Sequence, residues 1–170
     1  MKKIFILATC IALLSTTVSA QRYAVIDSKF ILEKMPEYKD AQKKLDQFSE
    51  QWQQEIEQKQ ALVDKMYKDY DAEQVMLSDE LKKKREDEIY NKDKELRDLQ
   101  KKRFGFEGDL FKKRQELIKP IQDRVYNAVQ KLAIEKSFDF ILDKSEGITV
   151  IFADPKLDRS EDVLRNLGVK

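Results

Sequence analysis

Histidine is absent from the 170 residues, and cysteine occurs once. That residue, Cys10, lies in an apolar run near the start, so everything after it carries neither thiol nor imidazole. Thiol nucleophiles, disulfides, histidine general bases and the usual zinc ligands are excluded together. Glycine occurs only four times and proline three, and no Gly-rich phosphate loop or nucleophile motif is present. The expectation is a chain that is not an enzyme, with no cofactor and no metal. Nor is there an excess of one charge: 33 Lys and Arg stand against 32 Asp and Glu, a formal net charge of +1. A nucleic-acid binder would carry a basic surplus, so nucleic acid is not an expected partner.

The start of the chain has the form of a leader. Lys2 and Lys3 precede an apolar run from Ile4 to Leu14, then Ser15-Thr16-Thr17 and Val18-Ser19-Ala20. A basic start, an apolar stretch too short to span a bilayer and small residues before the cut predict a secretory signal peptide, residues 1–20, cleaved after Ala20. Leu7-Ala8-Thr9-Cys10 loosely resembles a lipoprotein site, but cleavage there leaves an apolar core of about six residues against the roughly 7–15 such leaders need. Loss of Lys2 and Lys3 takes the formal charge from +1 to −1.

What remains is charge and helix-forming sequence. Charged residues make up 38% of the chain. Between Pro36 and Pro120 there is no proline, and the only glycines are Gly105 and Gly108. Lys, Glu, Gln and Leu dominate this stretch, all good helix formers. Ala41, Leu45, Phe48, Trp52, Ile56, Val63, Met66, Tyr70 and Leu77 recur at about the 3.6-residue period of a helix. Ser78 followed by Asp79 and Glu80 reads as a helix cap with an acidic first turn, which places a chain reversal near 77–79. A second stripe returns through Leu81, Ile89, Leu96, Leu99, Phe106, Leu110, Leu117, Ile121, Val125, Ala128 and Leu132. Residues 37–76 and 79–118 form two matched arms, each about 60 Å long at the helical rise of ~1.5 Å per residue. Pro120 marks a kink before a shorter helix to about Lys136. A single continuous rod would ignore both Ser78 and Pro120. By count the first arm carries −4 and the second +2, so pairing between arms fixes their register.

The flanks differ. Residues 22–27, 138–143 and 148–152 read as strands, the last two joined by a turn at 144–147. Residues 28–35 form a short helix, and a last helix follows Asp158 and ends at Gly168. The expected fold class is α+β, predominantly α: a long antiparallel helical hairpin, residues 37–119, projecting from a small β-containing body built from residues 21–36 and 120–170. A body of that size with no disulfide or metal is short of core, and oligomerisation supplies the remedy.

The two ends carry a resemblance. The opening YAVIDSKFILEKMPEYK, the charged hairpin and the close FDFILDKSEGITVIFADPKLDRSEDVLRNLG together resemble the Skp/OmpH-like family of periplasmic chaperones. The resemblance covers essentially all of the chain after the leader and is most specific at its ends. It implies a homotrimer with a body of intertwined strands, three helical arms around a cavity, and ATP-independent holding of unfolded outer-membrane β-barrel proteins in the periplasm. The best-known members are strongly basic. This chain is near neutral, which argues against contact with lipopolysaccharide or anionic lipid.

Holding a client needs apolar surface. The candidates are Leu62, Met66, Tyr67, Tyr70, Val75, Met76 and Leu77 on the outgoing arm and tip, with Tyr90, Phe104 and Phe111 on the return. Met and aromatic side chains adapt to varied partners. The alternative is that Phe104, Phe111 and Ile118, seven residues apart, only widen the seam of the hairpin. Gly105 and Gly108 are read as making room for Phe48 and Trp52, and also as a possible hinge in the arm. Lys82-Lys83-Lys84-Arg85 is offset by Glu86-Asp87-Glu88 and reads as a solvated face. Asp27, Asp139 and Asp143 lie near the strands, and one of them is expected to cap a helix or turn rather than catalyse. The competing functional reading is a structural coiled-coil envelope protein that binds one folded partner.

Overall fold

The computed structural model describes residues 21–145 and 150–169. The leader with its cut after Ala20, residues 146–149 of the expected turn and third strand, and Lys170 lie outside the described residues. Strand β1 (Tyr23–Ile26) leads into helix α1 (Ser28–Lys34), which starts where the Asp27 carboxylate accepts the Phe30 N–H at 2.9 Å. Met35 is extended, φ −81° and ψ 120°, because a residue before proline is kept out of the helical region. Pro36 then opens α2 (Pro36–Glu73), 38 residues long, at the first helical position, where the N–H has no acceptor within the helix. The chain reverses over residues 74–78. The Ser78 hydroxyl accepts the Leu81 N–H at 3.4 Å and starts α3 (Asp79–Phe104), with Asp79 and Glu80 at its positive end.

The return does not run unbroken to Pro120. α3 ends at Phe104, residues 105–108 are not helical, and a nine-residue helix α4 (Asp109–Leu117) follows. Leu99, Arg103, Glu107 and Leu110 are spaced four, four and three apart, so one continuous helix would turn Glu107 onto the face that meets α2. The break leaves Glu107 exposed, at φ 53°. The glycines serve this break rather than the aromatic rings. A Cβ on Gly105 would lie 2.3 Å from the Lys101 carbonyl oxygen, and one on Gly108 would lie 2.8 Å from that of Lys102. Only a residue without a side chain lets the backbone fold this closely over the end of α3.

Ile118 joins α4 to α5 (Lys119–Lys136), which places Pro120 in the first turn of the new helix. The left-handed Ser137, φ 53°, ends α5 and leads into β2 (Phe140–Asp143). β2 pairs in parallel with β1, from Tyr23 opposite Phe140 to Ile26 opposite Asp143. Parallel strands need a long crossover, and here the whole hairpin is that crossover. The third strand does not form over its described part: Val150 to Phe152 lie outside any ladder, and β2 finds its partner in β1 instead. A short 3-10 turn (Pro155–Leu157) and α6 (Ser160–Leu167) complete the chain, with Gly168 at φ 73° as the left-handed cap.

One core roots everything. Ile31, Met35 and Val163 are fully buried, and Ile26, Ala41, Leu45, Ile121, Val125, Leu132 and Leu164 pack with them. Each large side chain so buried contributes about 1.5–3 kcal/mol. Farther out, Ile56 and Val63 on α2 meet Leu96 on α3 in a separate small cluster, with Leu99 beside it. Arginines of the returning chain meet glutamates of the outgoing one: Arg85–Glu73 at 3.9 Å, Arg103–Glu55 at 3.0 Å and Arg124–Glu37 at 2.6 Å. Such pairs add little energy but oppose a slipped register.

A polar knot closes the base. The Asp27 N–H donates to Ser160 Oγ at 2.8 Å, and Ser160 donates to Asp158 at 2.7 Å. Lys144 Nζ donates to the other Asp158 oxygen at 2.6 Å. Asp143 accepts the N–H groups of Ser28 and Ser145 at 3.1 and 2.9 Å, and Asp139 accepts that of Arg22 at 2.7 Å. Burial alone would push the Asp158 and Asp143 carboxyls upward. Hydrogen bonds from Lys144 and Ser160 to the first, and from Ser28 and Ser145 to the second, outweigh it and hold both below the ordinary carboxylate value.

Two outcomes are expected. Ile31→Ala should cost about 2–5 kcal/mol in urea unfolding, while Tyr90→Ala, at an exposed position, changes stability by less than ~0.5 kcal/mol. The carboxyls of Asp143 and Asp158 titrate lower folded than unfolded, so the stability they add is complete above the unfolded value of about 3.9. It is lost as pH falls through the depressed folded values. Asp158→Asn should therefore flatten the acid limb of a stability profile measured between roughly pH 5 and 2.

Candidate functional site: apolar surface on a charged arm

The arm carries apolar side chains at three levels. At the tip the helix cap holds residues 74–78 in a tight turn that turns side chains outward: Val75 is 88% and Met76 82% exposed. Leu77 is half-buried beside half-exposed Leu81, and with Lys84, Arg85 and Glu88 they line a shallow hollow. Along the shaft, Leu62 and Tyr67 on α2 and Tyr90 on α3 stand in solvent. Met66 and Tyr70 lie in the seam instead. They line a small cleft with Asp69, Glu73, Arg85 and Ile89, and the Tyr70 hydroxyl donates across the hairpin to Glu86. That hydrogen bond, with burial and the charges of Glu86 and Asp71, raises the Tyr70 pKa above the usual phenol value. Tyr70 therefore stays neutral and bridges the two helices.

The third level is the break in the return. Phe48 and Trp52 stack with ring centres 5.7 Å apart, and Phe104 meets Trp52 edge-on at 6.5 Å. The Arg103 guanidinium covers the Trp52 ring at 4.9 Å and Lys113 covers Phe48 at 5.2 Å. Phe104 in this stack and Phe111 on α4 remain partly exposed, whereas Ile118 is buried in the body core. Phe106, expected on the seam, is 97% exposed, because the break lifts it off α2. The sequence held a signal for this: two glycines three residues apart in an arm otherwise free of them mark a place where helix is abandoned.

The body has apolar surface of its own. Tyr23 and Phe140 stack across the strand pair at 5.9 Å, both half-exposed. A hollow of about 330 Å³ opens among Ile26, Leu32, Val125, Val129 and Ile141, with Ser28 and Asp143 at its polar side. Ile151 and Phe152 are exposed at 100% and 84%. Among the described residues no group of three or more Asp and Glu is arranged to hold a metal ion, and no helix is long and apolar enough to cross a membrane. The carboxylates nearest the strands, Asp27, Asp139 and Asp143, each accept backbone N–H groups as caps and ties.

Comparison with known proteins follows this architecture. A search of curated proteins finds no match. Among solved structures, a candidate outer membrane chaperone (OmpH-like) from Caulobacter crescentus superposes with a TM-score of 0.67 at 14% identity. The match covers 88% of this chain and 85% of that one, and at that identity the likeness is one of fold. Residues 22–167 match the sequence profile of the family described as outer membrane protein (OmpH-like). With the strand pair, the hairpin and the closing helix all inside that span, the chain belongs to the OmpH-like family.

Proposed function

We propose that this protein is exported to the periplasm, assembles there as a homotrimer through its body, and holds unfolded outer-membrane β-barrel proteins between its arms without ATP. A chaperone-like role accords with the family. The observation that carries the finer reading is the strong exposure of Val75, Met76 and Phe106 on an arm rich in charge. Single exposed apolar side chains are ordinary on a folded surface, but a Val, a Met and a Phe each more than four-fifths exposed give an unfolded chain apolar points to meet. Scattered apolar contacts hold an unfolded chain weakly at many points, and a flexible Met adapts to whichever residue it meets. The charged remainder of the arm keeps the loaded complex soluble. Leu62, Tyr67, Phe104 and Phe111 extend the contact surface in this reading. Met66, Tyr70 and Leu77 contribute at its edge from within the seam. Residues 21–36 and 120–170 act as the oligomerisation body and 37–119 as the arm. The exposed Ile151 and Phe152 and the hollow beside Ile141 support assembly through the body. Near-neutral charge disfavours anionic lipid as a partner.

Two measurements test this. The protein's mass in solution should be that of three copies, and a monomer at micromolar concentration would contradict the assembly. A denatured β-barrel protein diluted into buffer should scatter little light at one trimer per client, with or without ATP. Replacing Val75, Met76 and Phe106 together by serine should weaken this suppression by about tenfold, equivalent to ~1.4 kcal/mol of client binding, with helix content unchanged. Full activity of that variant favours instead a spacer that binds one folded partner.

A further inference from the structure

We propose that Arg103 is a clamp that holds the arm straight across the break at residues 105–108, and that the arm bends there when the clamp opens. Bending a pair of antiparallel helices makes one path longer than the other, and two unbroken helices packed along their length resist it. Here α2 runs unbroken from Pro36 to Glu73, while the return is interrupted by four non-helical residues. α2 can curve gently as a spine, and residues 105–108 supply the slack. Buried packing is interrupted at the same level. The body core reaches Leu45 on α2, and the next buried α2 residue is Ile56 in a separate cluster. Between them lie Phe48 and Trp52, half-buried.

Arg103 ties three helices at this gap. From the last turn of α3 it donates to Glu55 on α2 at 3.0 Å and to Asp109, the first residue of α4, at 2.7 Å. Its plane covers Trp52. A planar fork reaches two carboxylates and a ring at once, which the point charge of a lysine cannot do. The closed state is also imperfect. Arg103 Nε is buried and meets no acceptor among the described residues, and Glu107 is held at φ 53°, a region few residues other than glycine adopt. Opening lets water reach the first and frees the second. Two ion pairs and a stacked ring thus oppose an unpaired donor and a strained residue, an arrangement suited to two states.

Trp52 is the only tryptophan and lies against the clamp, so it reports directly. In Arg103→Met, acrylamide quenching of Trp52 should rise about twofold, and amide exchange over residues 104–112 and 48–56 should quicken about tenfold or more. Exchange over 85–97 and 121–132 and the helix content by circular dichroism should not change. Arg103→Lys should fall between the wild type and Arg103→Met. Glu55→Gln should by itself quicken exchange over residues 104–112 and 48–56 and add nothing in the Arg103→Met background, because the two act as a unit. Unchanged exchange at the break in Arg103→Met, acceleration spread evenly to the tip, full protection in Arg103→Lys, or additive effects of the pair would each overturn the proposal.

Discussion

A hairpin this long and this charged has only a narrow stripe to bury, and it stands because that stripe is anchored in one core at its base. Ala41 and Leu45 from the outgoing helix and Ile121, Val125 and Leu132 from the returning one share a single cluster with Ile31, Met35 and Val163. The first helix, the arm and the last helix therefore depend on the same contacts. The parallel pairing of β1 with β2 follows from this. Two strands separated by the whole arm meet because α1, α5 and α6 pack on one another, and the Asp27–Ser160–Asp158–Lys144 knot then closes the far side. Burial supplies the energy at the base and hydrogen bonds supply the alignment.

Away from the base the balance changes. The arm keeps only Ile56, Val63 and Leu96 in its outer cluster, and its register is guarded by the glutamate–arginine pairs. This economy leaves side chains free. Val75, Met76 and Phe106 stay outside the seam because turn and break geometry turn them away from it. In the proposed holdase the same features have two uses: charge keeps the arm and its client dispersed, and isolated apolar groups give the client many weak points of attachment. The clamp at Arg103 places a bending point between the rooted and the outer half of the arm.

Much of this was legible in the residues, for physical reasons. Pro36 and Ser78 are punctuation whose local chemistry no tertiary contact overrides, so the helix starts lie where they indicate. Asp27 caps α1 because an aspartate before a helix satisfies an otherwise unpaired N–H. The break was harder to read. Phe106 fits the apolar period as well as Leu110 does, and periodicity cannot register that Glu107 on the same helix would face α2. Residue spacing puts the glycines opposite the rings of Phe48 and Trp52, whereas what requires them is the carbonyls of Lys101 and Lys102. The strand over 148–152 had the right composition, but composition does not name a partner strand, and no ladder forms over residues 150–152. Arg103 could not be singled out among neighbouring basic residues, because its role comes from the convergence of three helices.

The account rests on the arm being the surface that meets an unfolded client. Hydroxyl-radical footprinting of the protein with and without a bound, unfolded β-barrel protein addresses this at residue level. Protection should appear at Met76, Phe106, Leu62 and Tyr67, with Ile31, Met35 and Val163 unchanged because they are buried in either state. Protection confined to the body, with the tip and Phe106 as reactive as in the free protein, would contradict it.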